Sequence, residues 1–161
     1  MSATYTLMSD AKNHDVPALL AEWKWLIPES DTPLFISAFG DWVFGKPNGS
    51  LWVLSLLEGT YEQVAKNSAE YNSLNKSEEW LNRIFIAEWL PIAIQNGLSP
   101  GHDECLGWKL HPLLGGKFEV SNLQVFSMLV YQSVVGQLLR QLSLRQPQPP
   151  EAPKKPWFKF W

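Results

Sequence analysis

The chain has 161 residues, 45% of them hydrophobic, and a formal charge of −3, which excludes a disordered polyelectrolyte and leaves a folded globular protein. Its one cysteine, Cys105, excludes an internal disulfide framework and fits a reducing compartment. No apolar run is long enough to span a bilayer, and MSATYTLMSDAKNHD lacks the basic start and apolar segment of a signal peptide, so a cytoplasmic protein without stable membrane insertion is expected.

Charge is spread unevenly. Residues 1–144 hold nine Lys/Arg against fifteen Asp/Glu, a balance of −6, whereas residues 145–161 hold four against one, a balance of +3. An acidic body argues against direct nucleic-acid binding and suits a basic protein partner. The nine tryptophans are core fillers first, but Trp is also favoured in protein-binding hot spots.

In chain order, VPALLAEWKWLI (16–27) predicts a short amphipathic helix. Asp15 is its N-cap, Pro17 sits in its first turn, and Leu19, Leu20, Trp23 and Ile27 form its buried face. Pro28 ends it. Residues 34–60 then read as strand, Asn48-Gly49 turn and strand, because Asn-Gly tolerates the positive φ that a tight hairpin needs. The second arm, Leu51–Leu56, is apolar on both faces, which predicts a strand covered on both sides or ended by a bulge. The turn at 58–60 leads to a third strand in YEQVA, giving a small meander.

The character becomes helical after Val64. Asn67 and Ser68 cap a two-turn helix over 67–75, and Ser77 caps a helical region over 77–96 whose first turn carries Glu78 and Glu79. Pro91 predicts a kink or break there. Residues 105–118 read as a short strand, with Gly107 allowing a close backbone approach, running into a Gly115-Gly116 turn. A final strand around Leu123–Met128 precedes a helix over Leu129–Leu144, with Val130, Val134, Leu138 and Leu142 recurring every four residues. Gly136 inside that helix costs about 1 kcal/mol against Ala, which a close helix–sheet contact would justify. The expected fold is α+β: a small antiparallel sheet built on a meander/hairpin and packed against several helices, with residues 1–146 as one domain.

Residues 147–161 form a Pro-rich extension ending in Trp157, Phe158, Phe160 and Trp161. Docking on its own domain or on a neighbouring subunit is the expectation, which allows a homo-oligomer through the tail. A peptide ligand for another protein, membrane contact and disorder are the alternatives.

No nucleophile elbow, phosphate loop, H-E-x-x-H or paired cysteines are present, so no catalytic residue, cofactor or metal is expected. His102, Cys105 and His111 are spaced loosely like zinc ligands, but they read as loop histidines and a small buried cysteine. Ser37, Asp41 and His14 make only a nominal triad. Asp41 stands out in FGDWVF, where a strand interior normally avoids an acid. It reads as a bulge or turn-stabilising carboxylate, with a partner-facing anion as the functional alternative. Asp41 and Trp42, with the four tail aromatics, are the candidate partner contacts.

Two stretches carry a resemblance. FGDWVFGKPNGSLWVLSLLEGTYEQVA and DECLGWKLHPLLGGKFEVSNLQVF, followed by VVGQLLRQL, resemble the DUF1851 family. The shared features are Gly40-Asp41, Asn48-Gly49, Gly59, Gly107, Leu114-Gly115-Gly116, Asn122 and Gly136. That domain forms the C-terminal part of Tdi1-type type VI secretion immunity proteins and often follows a GAD-like region, of which little is matched here. The resemblance implies a non-catalytic module that binds and occludes a bacterial toxin, a nuclease in the named case. The alternative is a structural or regulatory domain that recruits its partner through the tail.

Overall fold

A computed structural model describes residues 6–145. The candidate contacts Trp157, Phe158, Phe160 and Trp161 lie outside the described residues. Five strands form one antiparallel meander in sequential order: β1 (Met8–Asp10), β2 (Thr32–Ser37), β3 (Trp42–Gly45), β4 (Leu51–Ser55) and β5 (Thr60–Ala65). The sheet is open, and helices pack on it. The 34–45 arm, read above as one strand, is two strands joined by a tight turn at 38–41. Gly40 and Gly49 both adopt φ of 89°, the left-handed region that their turns require and that a side chain would strain. At the second turn, Asn48 Oδ1 accepts from the Ser50 amide at 2.9 Å.

Both alternatives for the second arm hold. Trp42 and Phe44 of β3 and Leu54 of β4 face a core shared with Ile36, Leu56 and the last helix. Val43, Leu51 and Val53 face the opposite side, against Tyr71, Trp80 and Phe85. The β4–β5 pairing also slips between Leu51 and Trp52. A strand inside two layers needs no polar face, which is why β4 shows none.

The second layer comes from α2 (Ser68–Leu74) and α3 (Glu78–Phe85). Asn67 Oδ1 accepts from the Glu70 amide at 2.8 Å, and Ser77 Oγ accepts from the Trp80 amide at 3.2 Å. These satisfy first-turn N–H groups that otherwise lack partners. The break in the 77–96 region comes before Pro91, at Ile86, which takes φ of 48°. Pro91 instead sits in the first turn of α4 (Trp89–Gln95), where a missing N–H costs nothing.

Two further strands, β6 (Glu104–Trp108) and β7 (Leu123–Ser127), pair with each other as a separate antiparallel ribbon. A third apolar cluster, containing Phe39, Leu90, Leu106, Trp108 and Leu123, joins the 38–41 turn, α4 and this ribbon. The chain then enters the longest helix, α5 (Met128–Arg145).

Two expectations are corrected here, and the buried face of α5 is defined. The 16–27 helix is only one turn, α1 (Val16–Leu19), followed by a 3-10 turn at Ala21–Trp23. Asp15 caps it as expected, through the Ala18 amide at 3.3 Å, and Leu19 and Trp23 are buried. One turn is a poor helix alone, and packing on α5 takes over after Leu19. In α5 the four-residue repeat is not the buried stripe. Val130 and Val134 are more than half exposed, while Met128, Tyr131, Gln132, Val135, Gly136 and Leu139 are buried. Both stripes are apolar, so periodicity alone could not choose between them. Finally, Gly136 meets not the sheet but the 3-10 turn. A Cβ there would lie 2.9 Å from the Glu22 carbonyl oxygen and 3.2 Å from the Trp23 ring.

A main-chain carbonyl cannot swing aside as a side chain can. Gly136→Ala is therefore expected to lose about 1–2 kcal/mol by overpacking, although helix propensity alone would gain about 1 kcal/mol. A guanidinium midpoint at or above the parent's would show that the turn yields freely.

Candidate functional site

The Gly40-Asp41 step builds a buried polar knot. Ser37 Oγ accepts from the Phe39 and Asp41 amides at 3.2 and 3.1 Å, closing the turn between β2 and β3. The Asp41 carboxylate accepts from the Leu56 amide at 2.8 Å and so ties this turn to the end of β4. Gln132 of α5 reaches in from the other side. Its Nε2 donates to the Gly40 carbonyl at 2.7 Å, and its Oε1 accepts from Trp42 Nε1 at 3.1 Å. Gln132 is fully buried, and these bonds satisfy both ends of its amide.

Asp41 and Trp42 are thus internal residues, 4% and 0% exposed. Enclosed on all sides, they present no side chain to a partner; they position what surrounds them. Burial raises the Asp41 pKa to about 7, opposed by the Leu56 hydrogen bond and helped by the Glu58 charge. The turn-stabilising reading of Asp41 describes its contacts. Ser37 is committed to backbone amides and Asp41 to Leu56, while the His14 ring bonds Ser9, so the three make no catalytic relay.

The same knot reaches a surface loop. His111 is buried, and its Nε2 donates at 2.8 Å to the carbonyl of Leu56, the residue whose amide binds Asp41. Its Nδ1 accepts from the Leu113 amide at 3.1 Å, which fixes the neutral tautomer. Burial accordingly holds the His111 pKa below its ordinary value, against the opposing Leu56 bond.

Residues 109–122 leave β6 and return to β7 as one pinned loop. Asn122 is the clamp: its Oδ1 accepts from the Leu110 amide at 2.9 Å, and its Nδ2 donates to the carbonyls of Leu110 and Lys117 at 2.9 and 3.0 Å. Gly116 lies under this clamp, where a Cβ would come within 1.7 Å of the Leu110 carbonyl oxygen. Gly107, at the loop's root, has the same character. A Cβ there would lie 2.4 Å from the Tyr131 ring, so the expected close approach is to an α5 side chain.

What this scaffold holds outward is apolar. Leu110, Leu113, Leu114 and Phe118 are each about half exposed, at 47, 52, 48 and 49%. Four large apolar side chains exposed on one hydrogen-bonded loop are the kind of feature that marks an interaction surface, as are Leu129, Val130, Val134 and Leu144 exposed on α5. Phe118 is also held from behind, edge-on to Trp108 at 5.1 Å. None of the four loop residues is among the candidate contacts that the sequence suggests, where Leu114-Gly115-Gly116 reads only as a turn and a family feature. The available signal is two leucines beside a glycine pair, and only the Asn122 clamp shows that they point out.

The zinc-like spacing of His102, Cys105 and His111 does not make a site. Cys105 is fully buried, with its thiol pushed up to about 12 by burial and by the Asp41 and Glu104 charges. His111 has both nitrogens engaged, and His102 lies exposed in the preceding loop. Among the described residues, no helix is long and apolar enough to cross a membrane.

Residues 65–139 match the family described as T6SS immunity protein Tdi1, C-terminal. The fold is also similar to a solved crystal structure, that of Atu4351 from Agrobacterium tumefaciens. The TM-score is 0.57 at 16% identity, over 81% of this chain and 66% of that protein. At that identity the likeness is one of fold. No curated protein matches.

Proposed function

We propose, from the match of residues 65–139 with the C-terminal domain of Tdi1-type T6SS immunity proteins, that this chain neutralises an antibacterial toxin by binding it stoichiometrically, without catalysis. One observation carries the reading beyond the match itself: the matched segment contains the whole pinned loop, including Asn122, Gly116 and the exposed Leu110, Leu113, Leu114 and Phe118. Two of its polar residues, His111 and Asn122, hold the loop in place, and its large apolar residues stand exposed beside Lys109, Lys117 and Glu119. That division of labour suits a binding face better than an active site, which needs converging polar groups in a cleft.

The partner is proposed to be a basic toxin of the nuclease class, met in the cytoplasm. The −6 balance of residues 1–144 would steer such a partner toward the chain, and the apolar loop would supply the desolvated contact. The tail aromatics Trp157, Phe158, Phe160 and Trp161 are proposed as a second contact.

The test is co-expression with the toxin encoded beside this gene. The parent chain is expected to restore growth and to co-purify with the toxin at one-to-one stoichiometry. The double variant Leu113→Asp/Leu114→Asp, altered only at half-exposed positions outside the apolar clusters, is expected to lose rescue while unfolding at the parent's temperature. Failure of the parent to bind or rescue would overturn the immunity reading. Rescue by the double variant would move the interface away from this loop.

A further inference from the structure

Two segments distant in sequence meet away from the pinned loop. His14 follows the 3-10 turn Ala11–Asn13 after β1, and His102 and Asp103 lie in the loop that leads into β6. The two imidazoles stack, with centroids 4.9 Å apart and planes 11° from parallel. One ligating atom from each of His14, His102 and Asp103 lies within 4.8 Å of the other two.

Neighbouring oxygens set the tautomers. His102 Nε2 lies 3.1 Å from the Asn13 carbonyl, which only accepts, so Nε2 carries the hydrogen. Ser9 Oγ donates to the Ile36 carbonyl at 3.4 Å and so accepts from His14 Nε2 at 3.0 Å. Both rings therefore hold Nε2–H against an oxygen and keep Nδ1 as a lone pair. Neither Nδ1 has a hydrogen-bond partner among the described residues. An outer N–H bonded to an oxygen is the arrangement that orients metal-ligating histidines.

We propose that His14, His102 and Asp103 form a binding site for a divalent cation of the zinc class, which ties the β1 segment to the β6 loop. Two borderline imidazoles with one hard carboxylate suit zinc, and the imidazoles disfavour magnesium or calcium. Tetrahedral coordination at about 2.0–2.2 Å needs the three ligand atoms closer together than they stand. Near-parallel rings do not aim their in-plane lone pairs at one point, so binding requires the His102 ring to turn out of the stack; its side chain and that of Asp103 are 64% and 90% exposed. A cavity of ≈ 300 Å³ lined by both histidines, Ser9 and Glu104 leaves room for water to complete the shell. His111 and Cys105, the other soft donors, are buried and do not compete.

The test titrates the full chain with zinc alone by calorimetry, and with cobalt alone by visible absorption. One equivalent is expected to bind in the micromolar range, with the ligand-field bands of four-coordinate cobalt. Saturating zinc is expected to raise the Tm by about 5 °C. His102→Ala and Asp103→Asn, both at exposed positions, are expected to weaken zinc binding by about tenfold or more and to remove the Tm rise. Magnesium is expected to do nothing. Absence of saturable zinc binding, or binding that survives His102→Ala unchanged, overturns the proposal.

Discussion

Gly116→Ala is expected to abolish the toxin neutralisation proposed for this chain while leaving the core folded. A Cβ at this position would lie 1.7 Å from the Leu110 carbonyl oxygen, far inside contact distance, and the obstacle is main chain. The loop must therefore open between residues 110 and 116. That breaks the Asn122 bonds to the Leu110 amide and carbonyl and displaces Leu110, Leu113 and Leu114. Hot-spot side chains contribute about 2 kcal/mol or more each, so loss of their common geometry should weaken toxin binding by about 100-fold or more. The loop itself is half-exposed and contributes little to the three apolar clusters. Global stability should therefore fall by only about 1–2 kcal/mol. Calorimetry against the toxin and a guanidinium melt, run on the same preparation, separate the two effects. Unchanged affinity would show that the loop is not the contact surface.

Asp41→Asn is expected to change how stability depends on pH. The Asp41 carboxyl has its folded pKa raised to about 7, from 3.8, by burial. Below 3.8 both folded and unfolded chains hold the proton, and the contribution is fully present. Between 3.8 and about 7 the unfolded chain releases the proton while the native one keeps it, so stability falls as pH rises. Above about 7 the contribution is gone. The span amounts to roughly 4 kcal/mol.

His14 and His111 act in the opposite sense. Their folded pKa values are lowered from 6.5, so their contribution is present above 6.5 and is lost as pH falls below it. These contributions are common to parent and variant and cancel in the difference. Asparagine cannot titrate, and its Oδ1 can still accept from the Leu56 amide. Denaturant melts at pH 5 and pH 8 should show the variant gaining on the parent by about 2.5 kcal/mol between the two. A difference independent of pH would mean that Asp41 is ionised throughout.

Much of the fold is legible in local chemistry. The caps at Asp15, Asn67 and Ser77, the Asn48-Gly49 turn, β5 and the strand-to-helix passage through residues 123–145 all follow from short-range rules. A cap or a tight turn involves neighbours a few residues apart, so the sequence holds the whole interaction. The resemblance to immunity proteins of the Tdi1 type rests on this same class of feature, above all glycines and the residues beside them. It is matched by the family over residues 65–139.

What only the tertiary structure decided involves partners far apart in the chain. Gly40-Asp41 is visible as an oddity in an apolar arm, but its meaning depends on Leu56 and on Gln132, 92 residues beyond Gly40. The choice between the two apolar stripes of α5 is made by Glu22 and Trp23 packing on Gly136. The outward aim of Leu113 and Phe118 depends on Asn122 holding Leu110 and Lys117. Sequence by itself determined which residues cap, turn and pair locally. Burial is a property of what covers a residue, and that cover comes from elsewhere in the chain. For that reason Asp41 and Trp42, the evident polar–aromatic pair, are internal, and an apolar loop takes the surface.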